Sequence, residues 1–398
     1  MNTLNEKDNL ILEFAAISDI HLKNSRSIET ERLEKAIKLS YEITSNLDLL
    51  VVSGDFTDGG HDPQHAQFIE TINTLIKPNT KVIVNQGNHE NGRFESDSFE
   101  YFRQLFGYGV DYMFQIKGFY FITLGVHHGD KYLDSQSKWL KTKLKIASLN
   151  NNKPIFVLTH YPARNTVIKS IKDSKDTFNE VLNQYPQVIN ISGHTHQALN
   201  DPRVIHQEHF TSFNNGSLSY LILNHYDYHK DYEYINKGHF AIFKVYDTKI
   251  IIERHIIDDN CSDAKSTKIP DDFVIDLTKG INGFTYKPNY FDKGTSPYFT
   301  SLTKVSVVNK NEDAIISFNQ AKDDVLVYYY TISIKDLNSG LVVSETKHQS
   351  QFYENVMPEI LSNYINFHFI KDKEYEIKIV AYNVNNRPSE PISHIFKY

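Results

Sequence analysis

Five short apolar runs, each followed at once by a polar cluster, most constrain what this chain can fold into. The runs are rich in Val, Ile and Leu, which is typical of strands buried on both faces. Strand 14–18 precedes "DIH", 49–53 precedes "GDFTD", 82–86 precedes "GNHE", 155–159 precedes "HYPAR" and 188–192 precedes "GHTH". Such strands need cover on both sides, so the runs predict a layered fold.

Segments with helical spacing lie between several of these strands. In 28–46, Leu33, Ile37, Leu39 and Ile43 can share one apolar helix face. Further helices are predicted at 66–76, 135–147 and 176–185. Alternating strands and helices predict an α/β fold, in which ligands bind outside the carboxyl ends of the strands. The polar clusters all follow those ends.

The pattern changes twice in the second half of the chain. Segment 259–300 is rich in Asp, Gly, Pro, Lys and Thr with little periodicity, which predicts a surface linker. From 301 to 398, apolar residues alternate with period two, as in β-strands. We therefore predict a catalytic domain at 1–258, a linker at 259–300 and a small all-β sandwich at 301–398. Segment 375–392 resembles the last hairpin of a fibronectin type III or immunoglobulin-like domain.

Composition excludes several classes of protein. The 398 residues include 42 Lys and Arg against 49 Asp and Glu, a net charge of −7 without a basic block, so we expect no nucleic-acid polymer as partner. Cys261 is the sole cysteine, so any metal must be held by His, Asp, Glu or Asn. No apolar run reaches membrane-spanning length, which favours no membrane association and a cytoplasmic protein, although a trimmed secretion signal would leave the same sequence.

The strand-end clusters together indicate a metal site. Taken singly, a D-x-H or G-N-H-E motif is more often structural than functional. Five clusters, each directly after a predicted strand, are much harder to reconcile with a purely structural role. Their polar side chains are Asp19, His21, Asp55, Asp58, Asn88, His89, Glu90, His160, His194 and His196. Oxygen and imidazole donors without thiolate suit zinc, iron or manganese better than magnesium.

These motifs resemble the signature of the calcineurin-like metallophosphoesterase family, D-x-H, G-D-x-x-D, G-N-H-D/E, H and G-H-x-H, over residues 12–258. The resemblance implies a four-layer α/β/β/α sandwich with two metal ions at the sheet ends. It implies one metal held by Asp19, His21 and His196. A second metal would be held by Asn88, His160 and His194, with Asp55 bridging the two.

The resemblance also implies phosphoester hydrolysis, in which a metal pair acidifies a water to hydroxide and clamps the attacking and leaving oxygens. His89 would stabilise the phosphate or protonate the leaving oxygen, with Asp58 orienting its imidazole. Protein phosphatases of this family carry Arg after the second Asp, where this chain has Gly59. The stretch "GDFTDGG" instead resembles the group that includes cyclic-nucleotide phosphodiesterases, so small phosphodiesters are the predicted substrates.

Two alternatives remain open at this point. One is a phosphomonoesterase of broad specificity, and the other is a binding or scaffold protein with a structural metal site. Arg164, Arg93 and His128 are predicted to contact substrate, although the two arginines fit a surface position equally well and His128 fits a solvated loop better. The all-β domain could pack on the catalytic domain or mediate an oligomer contact.

Overall fold

A computed structural model describes residues 8–91, 98–127, 132–149, 153–170, 176–223, 234–310 and 313–398. The chain divides into two units, Met1–Pro288 and Asn289–Tyr398. Within the described residues, no helix is long and apolar enough to cross a membrane. Arg93 and His128, two of the predicted substrate contacts, lie outside the described residues.

The first unit alternates strands and helices along most of its length. Its helices are α1 (Ile28–Ile43), α2 (Asp62–Leu75), α3 (Ser98–Phe106), α4 (Asp134–Ser148) and α5 (Asp176–Leu182). Its strands are β1 (Leu10–Ile17), β2 (Leu49–Ser53), β3 (Lys81–Asn85), β4 (Tyr112–Ile116), β5 (Phe119–Leu124), β6 (Ile155–Thr159), β7 (Val188–Ser192), β8 (Ile205–Gln207), β9 (Thr211–Asn214), β10 (Leu221–Ile222), β11 (Tyr234–Ile235), β12 (His239–Tyr246), β13 (Lys249–Ile257), β14 (Ser266–Lys268) and β15 (Phe273–Asp276). Short 3-10 helices lie at His89–Asn91, Pro202–Val204 and Gly280–Gly283.

Two large sheets form the centre of this unit. The first sheet has the order β14-β13-β12-β1-β2-β3, with β15 beside β13. In it, β1, β2 and β3 are parallel, while β12 runs antiparallel to β1. The second sheet has the order β4-β5-β6-β7-β9-β8, and β5, β6, β7 and β9 are parallel. The five predicted strands are therefore β1, β2, β3, β6 and β7.

The two sheets pack face to face through phenylalanines. Phe14 of β1 stacks on Phe243 of β12, with ring centroids 4.5 Å apart. Its edges meet Phe121 of β5 at 5.7 Å and Phe156 of β6 at 5.2 Å, both in the second sheet. Because side chains alternate along a strand, the neighbours Ala15 and Ile17 point to the opposite face.

Helices cover the outer face of each sheet. The outer face of the first sheet packs on α1 and α2 in a core that includes Ala15, Ile17, Leu33, Ile37, Leu50 and Phe68. The outer face of the second sheet packs on α4 and α5 in a core that includes Ile122, Leu140, Leu144, Val157 and Phe178. The predicted four-layer α/β/β/α sandwich is confirmed.

Segment 259–300 is predicted from its sequence to be a surface linker, but part of it pairs with β13 in the structure. Ser266–Lys268 pairs with one end of β13, and Phe273–Asp276 pairs with the other. Each strand has only three or four residues, too few for a period-two pattern to stand out in the sequence. The first unit accordingly extends to Pro288.

In the described part of the second unit, the regular secondary-structure elements are all strands. They are β16 (Val305–Lys310), β17 (Asp313–Asn319), β18 (Val327–Asp336), β19 (Val342–Gln349), β20 (Ile360–Ile365), β21 (Glu374–Asn383) and β22 (Ile392–Lys397). They form antiparallel sheets of order β16-β17-β20 and β19-β18-β21-β22 around a shared apolar core. The all-β prediction is confirmed, and Asn386, between β21 and β22, has φ +59°.

Truncation of the inter-sheet phenylalanine should be costly. Phe14→Ala removes a fully buried ring that touches both sheets, and we expect it to lower the free energy of unfolding by about 3–5 kcal/mol. Leu10→Ala is the matched control, since Leu10 lies on the same strand with 40% of its surface exposed. Its expected cost is below about 1 kcal/mol. Urea unfolding of the full chain measures both, and equal losses would contradict the packing described.

A second expectation concerns acid stability. Glu253 of β13 accepts hydrogen bonds from Lys244 at 3.1 Å and Lys268 at 2.9 Å on the two neighbouring strands. Burial alone would raise the pKa of Glu253, but His255 at 3.8 Å and the hydrogen bonds from Lys268 and Lys244 outweigh it and lower the pKa to about 2. A lowered folded-state pKa stabilises the fold above the ordinary glutamate pKa, and this stabilisation is lost as the pH falls toward 2.

Glu253→Gln should therefore destabilise the protein by about 2 kcal/mol at pH 6–7 and progressively less below pH 4.5. Urea unfolding at several pH values gives the difference between wild type and variant. A difference that stays constant from pH 6 to pH 2.5 would contradict the role of this carboxylate.

Candidate metal centre

The predicted ligands meet where the carboxyl ends of the two sheets come together. Among the residues that the structure describes, three sets of side chains have potential ligand atoms within 4.8 Å of one another. We call Asp19, His21 and His196 the first ligand group, and Asp55, His160 and His194 the second ligand group. The third set, His21, Asp58 and His89, overlaps the first.

The first ligand group joins loops from both sheets. His196 Nε2 lies 3.1 Å from Asp19 Oδ1 and 3.2 Å from His21 Nε2, and all three side chains are buried. His196 Nδ1 donates to the carbonyl of Tyr220 at 2.8 Å. That bond leaves the lone pair on Nε2, the atom that faces Asp19 and His21. These three atoms can therefore bind one cation.

The second ligand group is centred on Asp55. His160 Nε2 lies 3.0 Å from Asp55 Oδ2, and His160 Nδ1 donates to the carbonyl of Ser53 at 2.9 Å. The ring of His194 lies 5.2 Å from that of His160. Asp55 Oδ2 is also 4.0 Å from His21 Nε2. One carboxylate thus lies within reach of both groups.

Asn88 supplies an independent test of whether a cation fits. Its Oδ1 is buried and has no hydrogen-bond partner among the described residues. A buried polar atom without a partner costs about 1–3 kcal/mol, so an unpaired one needs an explanation. The main-chain N–H of the next residue, His89, donates to Asp55 Oδ1 at 2.9 Å, and an amide oxygen near a carboxylate is a suitable ligand for a divalent or transition metal.

The main chain turns sharply to direct these side chains. Five of the thirteen described non-glycine residues with positive φ are predicted ligands, namely Asp19, His21, Asp55, His194 and His196. Their φ values lie between 49° and 69°, in the left-handed region that costs a non-glycine residue about 1–2 kcal/mol. Such strain is typical of functional sites.

Two motif glycines allow loops to approach the carboxylates closely. A Cβ on Gly193 would lie 1.8 Å from Ser18 Oγ and 2.5 Å from Asp19 Oδ2. A Cβ on Gly87 would lie 2.1 Å from Asp55 Oδ1. Neither position has room for a side chain, because each loop crosses directly over a candidate ligand.

Glu90 joins the "GDFTD" and "GNHE" loops from inside the protein. It is 5% exposed and accepts hydrogen bonds from the main-chain N–H groups of Asp55, Thr57 and Gly87 and from the Thr57 hydroxyl, at 2.7–2.9 Å. Burial and the nearby Asp55 charge raise the pKa of Glu90 to about 7. The sequence left open whether Glu90 is a surface acid; the structure places it behind the ligands.

The charges of the site favour ionised carboxylates and one neutral histidine. Burial alone would raise the pKa of Asp19, but His196 outweighs it and lowers the pKa to about 2. Burial and the neighbouring His160 lower the pKa of His194 to about 3. His160 differs because Asp55 overcomes the effect of burial and raises its pKa to about 10. Asp19 and Asp55 therefore each face a histidine partner.

The sequence predicts that the Asp58 side chain orients the His89 imidazole. In the structure, the main chain of Asp58 does so instead. His89 Nδ1 donates to the main-chain carbonyl of Asp58 at 2.7 Å. The Asp58 carboxylate instead lies 2.7 Å from Lys23 Nζ and 3.6 Å from His21 Nδ1. These cationic and imidazole partners explain the difference, because they attract the carboxylate to the loop that follows β1.

One predicted substrate contact lies outside the ligand groups, and two residues near the ligands were not predicted. Arg164 is outside the ligand groups, and its main chain is held by the Asn179 side chain at 3.1 and 2.7 Å. The structure adds Lys23 and Tyr220, which sequence reasoning passed over. Tyr220 stacks on His196 with ring centroids 4.3 Å apart. Neither residue lies in a strand-end motif, so spacing gave no signal for them.

Comparisons with known proteins relate part of the chain to one family of enzymes. Residues 12–198 match the calcineurin-like phosphoesterase family. The chain is 23% identical over 196 residues to a probable glycerophosphodiester phosphodiesterase from Arcobacter nitrofigilis, covering 46% of this chain and 71% of that protein. The family match covers slightly under half of the chain, and the matched family consists of metal-dependent hydrolases that act on phosphoesters.

The chain also matches solved structures at low sequence identity. A purple acid phosphatase from yellow lupin is 13% identical, with a TM-score of 0.49, and the match covers 69% of this chain and 55% of that one. Vacuolar protein sorting 29 from Cryptosporidium parvum is 11% identical, with a TM-score of 0.35, and the match covers 67% of this chain and 99% of that one.

Adding a methyl group at Gly193 should weaken metal binding. In Gly193→Ala the new Cβ would displace Ser18 or the Asp19 carboxylate, and we expect the affinity for Mn²⁺ to fall about tenfold or more. Gly109→Ala is the control, because its Cβ meets no atom closer than 4.0 Å. Mass spectrometric metal analysis after dialysis against graded Mn²⁺ gives the affinities. If Gly193→Ala bound Mn²⁺ as tightly as the wild type, the close approach of Gly193 to Ser18 and Asp19 would be contradicted.

Proposed function

We propose that the protein hydrolyses small phosphodiesters, cyclic nucleotides among the candidates, with the help of two divalent or transition metal ions. The observation that carries this proposal is the position of Asp55, which lies within reach of the first and the second ligand group. A carboxylate in that position suits a bridging ligand. Mononuclear sites have no need of such an arrangement.

The proposed ligands divide between the two ions. Asp19, His21 and His196 would hold one ion, Asn88, His160 and His194 the other, and Asp55 both. Two divalent ions bring four positive charges, and the carboxylates of Asp19 and Asp55 remove two. The remaining positive charge attracts a phosphoester into a protein of net charge −7. The donor set suits manganese, iron or zinc.

A bound pair of such ions supplies a nucleophile from water at neutral pH and stabilises the attacking and leaving oxygens. The chain's own contribution is His89. Because His89 Nδ1 donates to the Asp58 carbonyl, Nε2 is the atom directed to the site, 3.9 Å from Asp55 Oδ2. Its side chain is 36% exposed, so Nε2 can reach a bound ester and give a proton to the leaving oxygen.

Three observations support diesters over monoesters. Gly59 stands where protein phosphatases of this family carry a phosphate-binding arginine. The relative from Arcobacter nitrofigilis is named as a probable phosphodiesterase. The ammonium group of Lys23 could bind the additional negative charge that a monoester carries, but this group is paired with Asp58 at 2.7 Å. A broad-specificity phosphomonoesterase and a binding protein are the alternatives.

The second unit is proposed to be fibronectin type III-like. Its seven strands divide three and four between two antiparallel sheets, an architecture shared by fibronectin type III and immunoglobulin domains. The proposed partner of the first unit is a small phosphoester rather than a nucleic-acid polymer, and the proposed location is the cytoplasm.

Initial rates on bis(p-nitrophenyl) phosphate and p-nitrophenyl phosphate test the function directly. Apo-protein reloaded with Mn, Fe, Zn or Mg should hydrolyse the diester faster. His89→Ala should lower the diester rate about 10²-fold with unchanged metal content, since a proton donor is lost while every ligand remains. His206→Ala is the control, because His206 lies outside all three ligand sets.

The outcomes separate the alternatives. Faster hydrolysis of the monoester would favour the phosphatase. Two bound metals with hydrolysis of neither ester would favour the binding protein. An undiminished rate in His89→Ala would exclude His89 as the proton donor whichever ester is preferred.

A further inference from the structure

Segment 217–220, which follows β9, is fastened to the main chain of Asp19. The Asp19 carbonyl accepts hydrogen bonds from Ser219 N at 3.1 Å, Ser217 Oγ at 3.0 Å and Ser219 Oγ at 2.9 Å. Leu218 N donates to the Ser18 carbonyl at 3.0 Å. This segment therefore has a fixed position relative to the first ligand group.

Arg32 of α1 holds the same segment from the other side. Its guanidinium group is buried and donates to the carbonyls of Leu218, at 3.3 Å, and Ser219. The group also makes a bidentate pair with Asp259 at 2.9 and 2.6 Å. A bidentate arginine pair restricts orientation as well as distance. Tyr220, the last residue of the segment, is thus carried on a rigid support.

The ring of Tyr220 lies over the first ligand group. It is stacked on His196 at 4.3 Å with an interplanar angle of 28°, and it lies 5.5 Å from His21. His89 meets the same His21 ring edge-on at 4.4 Å. The proposed proton donor and Tyr220 therefore both border His21.

The hydroxyl of Tyr220 is available for a ligand. Tyr220 is half-buried, and its hydroxyl makes no hydrogen bond with any residue in the described part of the chain. A tyrosine is protonated at neutral pH and is a donor without net charge. A neutral donor beside a positive metal pair suits the monoanionic phosphate of a diester.

We propose that Tyr220 contacts the substrate and that its hydroxyl donates a hydrogen bond to a non-bridging oxygen of the bound phosphodiester. This inference rests on the proposed function and names one further residue of that site. A fixed donor directed at an oxygen that gains charge during reaction is worth about 10²-fold or more in rate. The stacking on His196 holds the donor in place without occupying the hydroxyl.

Tyr220→Phe tests the proposal, because it keeps the stacked ring and removes only the hydroxyl. We expect kcat/KM for bis(p-nitrophenyl) phosphate to fall about 100-fold or more at unchanged metal content, with most of the loss in kcat. Calorimetry on the Mn-loaded protein should show about fivefold or more weaker binding of inorganic phosphate. Tyr234→Phe is the matched control; that ring is 60% exposed and meets Tyr220 edge-on at 5.2 Å.

Each outcome decides the question. Unchanged kinetics and phosphate affinity in Tyr220→Phe would overturn the contact while leaving the proposed function intact. A loss of bound metal in Tyr220→Phe would also overturn it, since the residue would then act only through His196. If the wild type hydrolyses neither ester, the proposed function fails, and the affinity for inorganic phosphate alone tests the contact. Weaker phosphate binding by Tyr220→Phe than by the wild type supports the contact, and equal binding overturns it.

Discussion

Face-to-face packing of two sheets through phenylalanines is the constraint on which the rest of the first unit depends. Phe14 touches rings of its own sheet and of the opposite sheet, and this contact brings the carboxyl ends of both sheets together. Each ligand group then draws on both. The first combines Asp19 and His21 with His196, and the second combines Asp55 with His160 and His194. Neither sheet alone carries a complete group.

The loops at these ends hold conformations that their own residues disfavour. Asp19, Asp55 and His196 have positive φ, and such conformations persist only where surrounding contacts determine them. Glu90 supplies those contacts on one side, by accepting hydrogen bonds from Asp55 and its neighbours. The Tyr220 segment supplies them on the other side, through the Asp19 carbonyl. Residues outside the ligand groups therefore determine the shape of the site.

The sequence allowed the layers, the central strands and the clustering of the ligands to be predicted, because each motif follows an apolar run of strand length. The features that could not be predicted from the sequence have physical causes. Spacing along a chain does not reveal which atom of Asp58 meets His89, since Lys23 determines the direction of that carboxylate. Tyr220 follows a short strand with no ligand motif. The strands β14 and β15 are too short to show alternation, so a linker was expected in their place.

The position of β1 has a consequence for how the first unit folds. Strand β1 lies between β2, its near neighbour in sequence, and β12, which begins at His239. Until about residue 246 has left the ribosome, β1 lacks the strand that pairs with one of its edges. Pairings between such distant segments are slow to form and leave intermediates prone to aggregation. The candidate metal centre, which needs the loop that follows β1, is consequently completed late in folding.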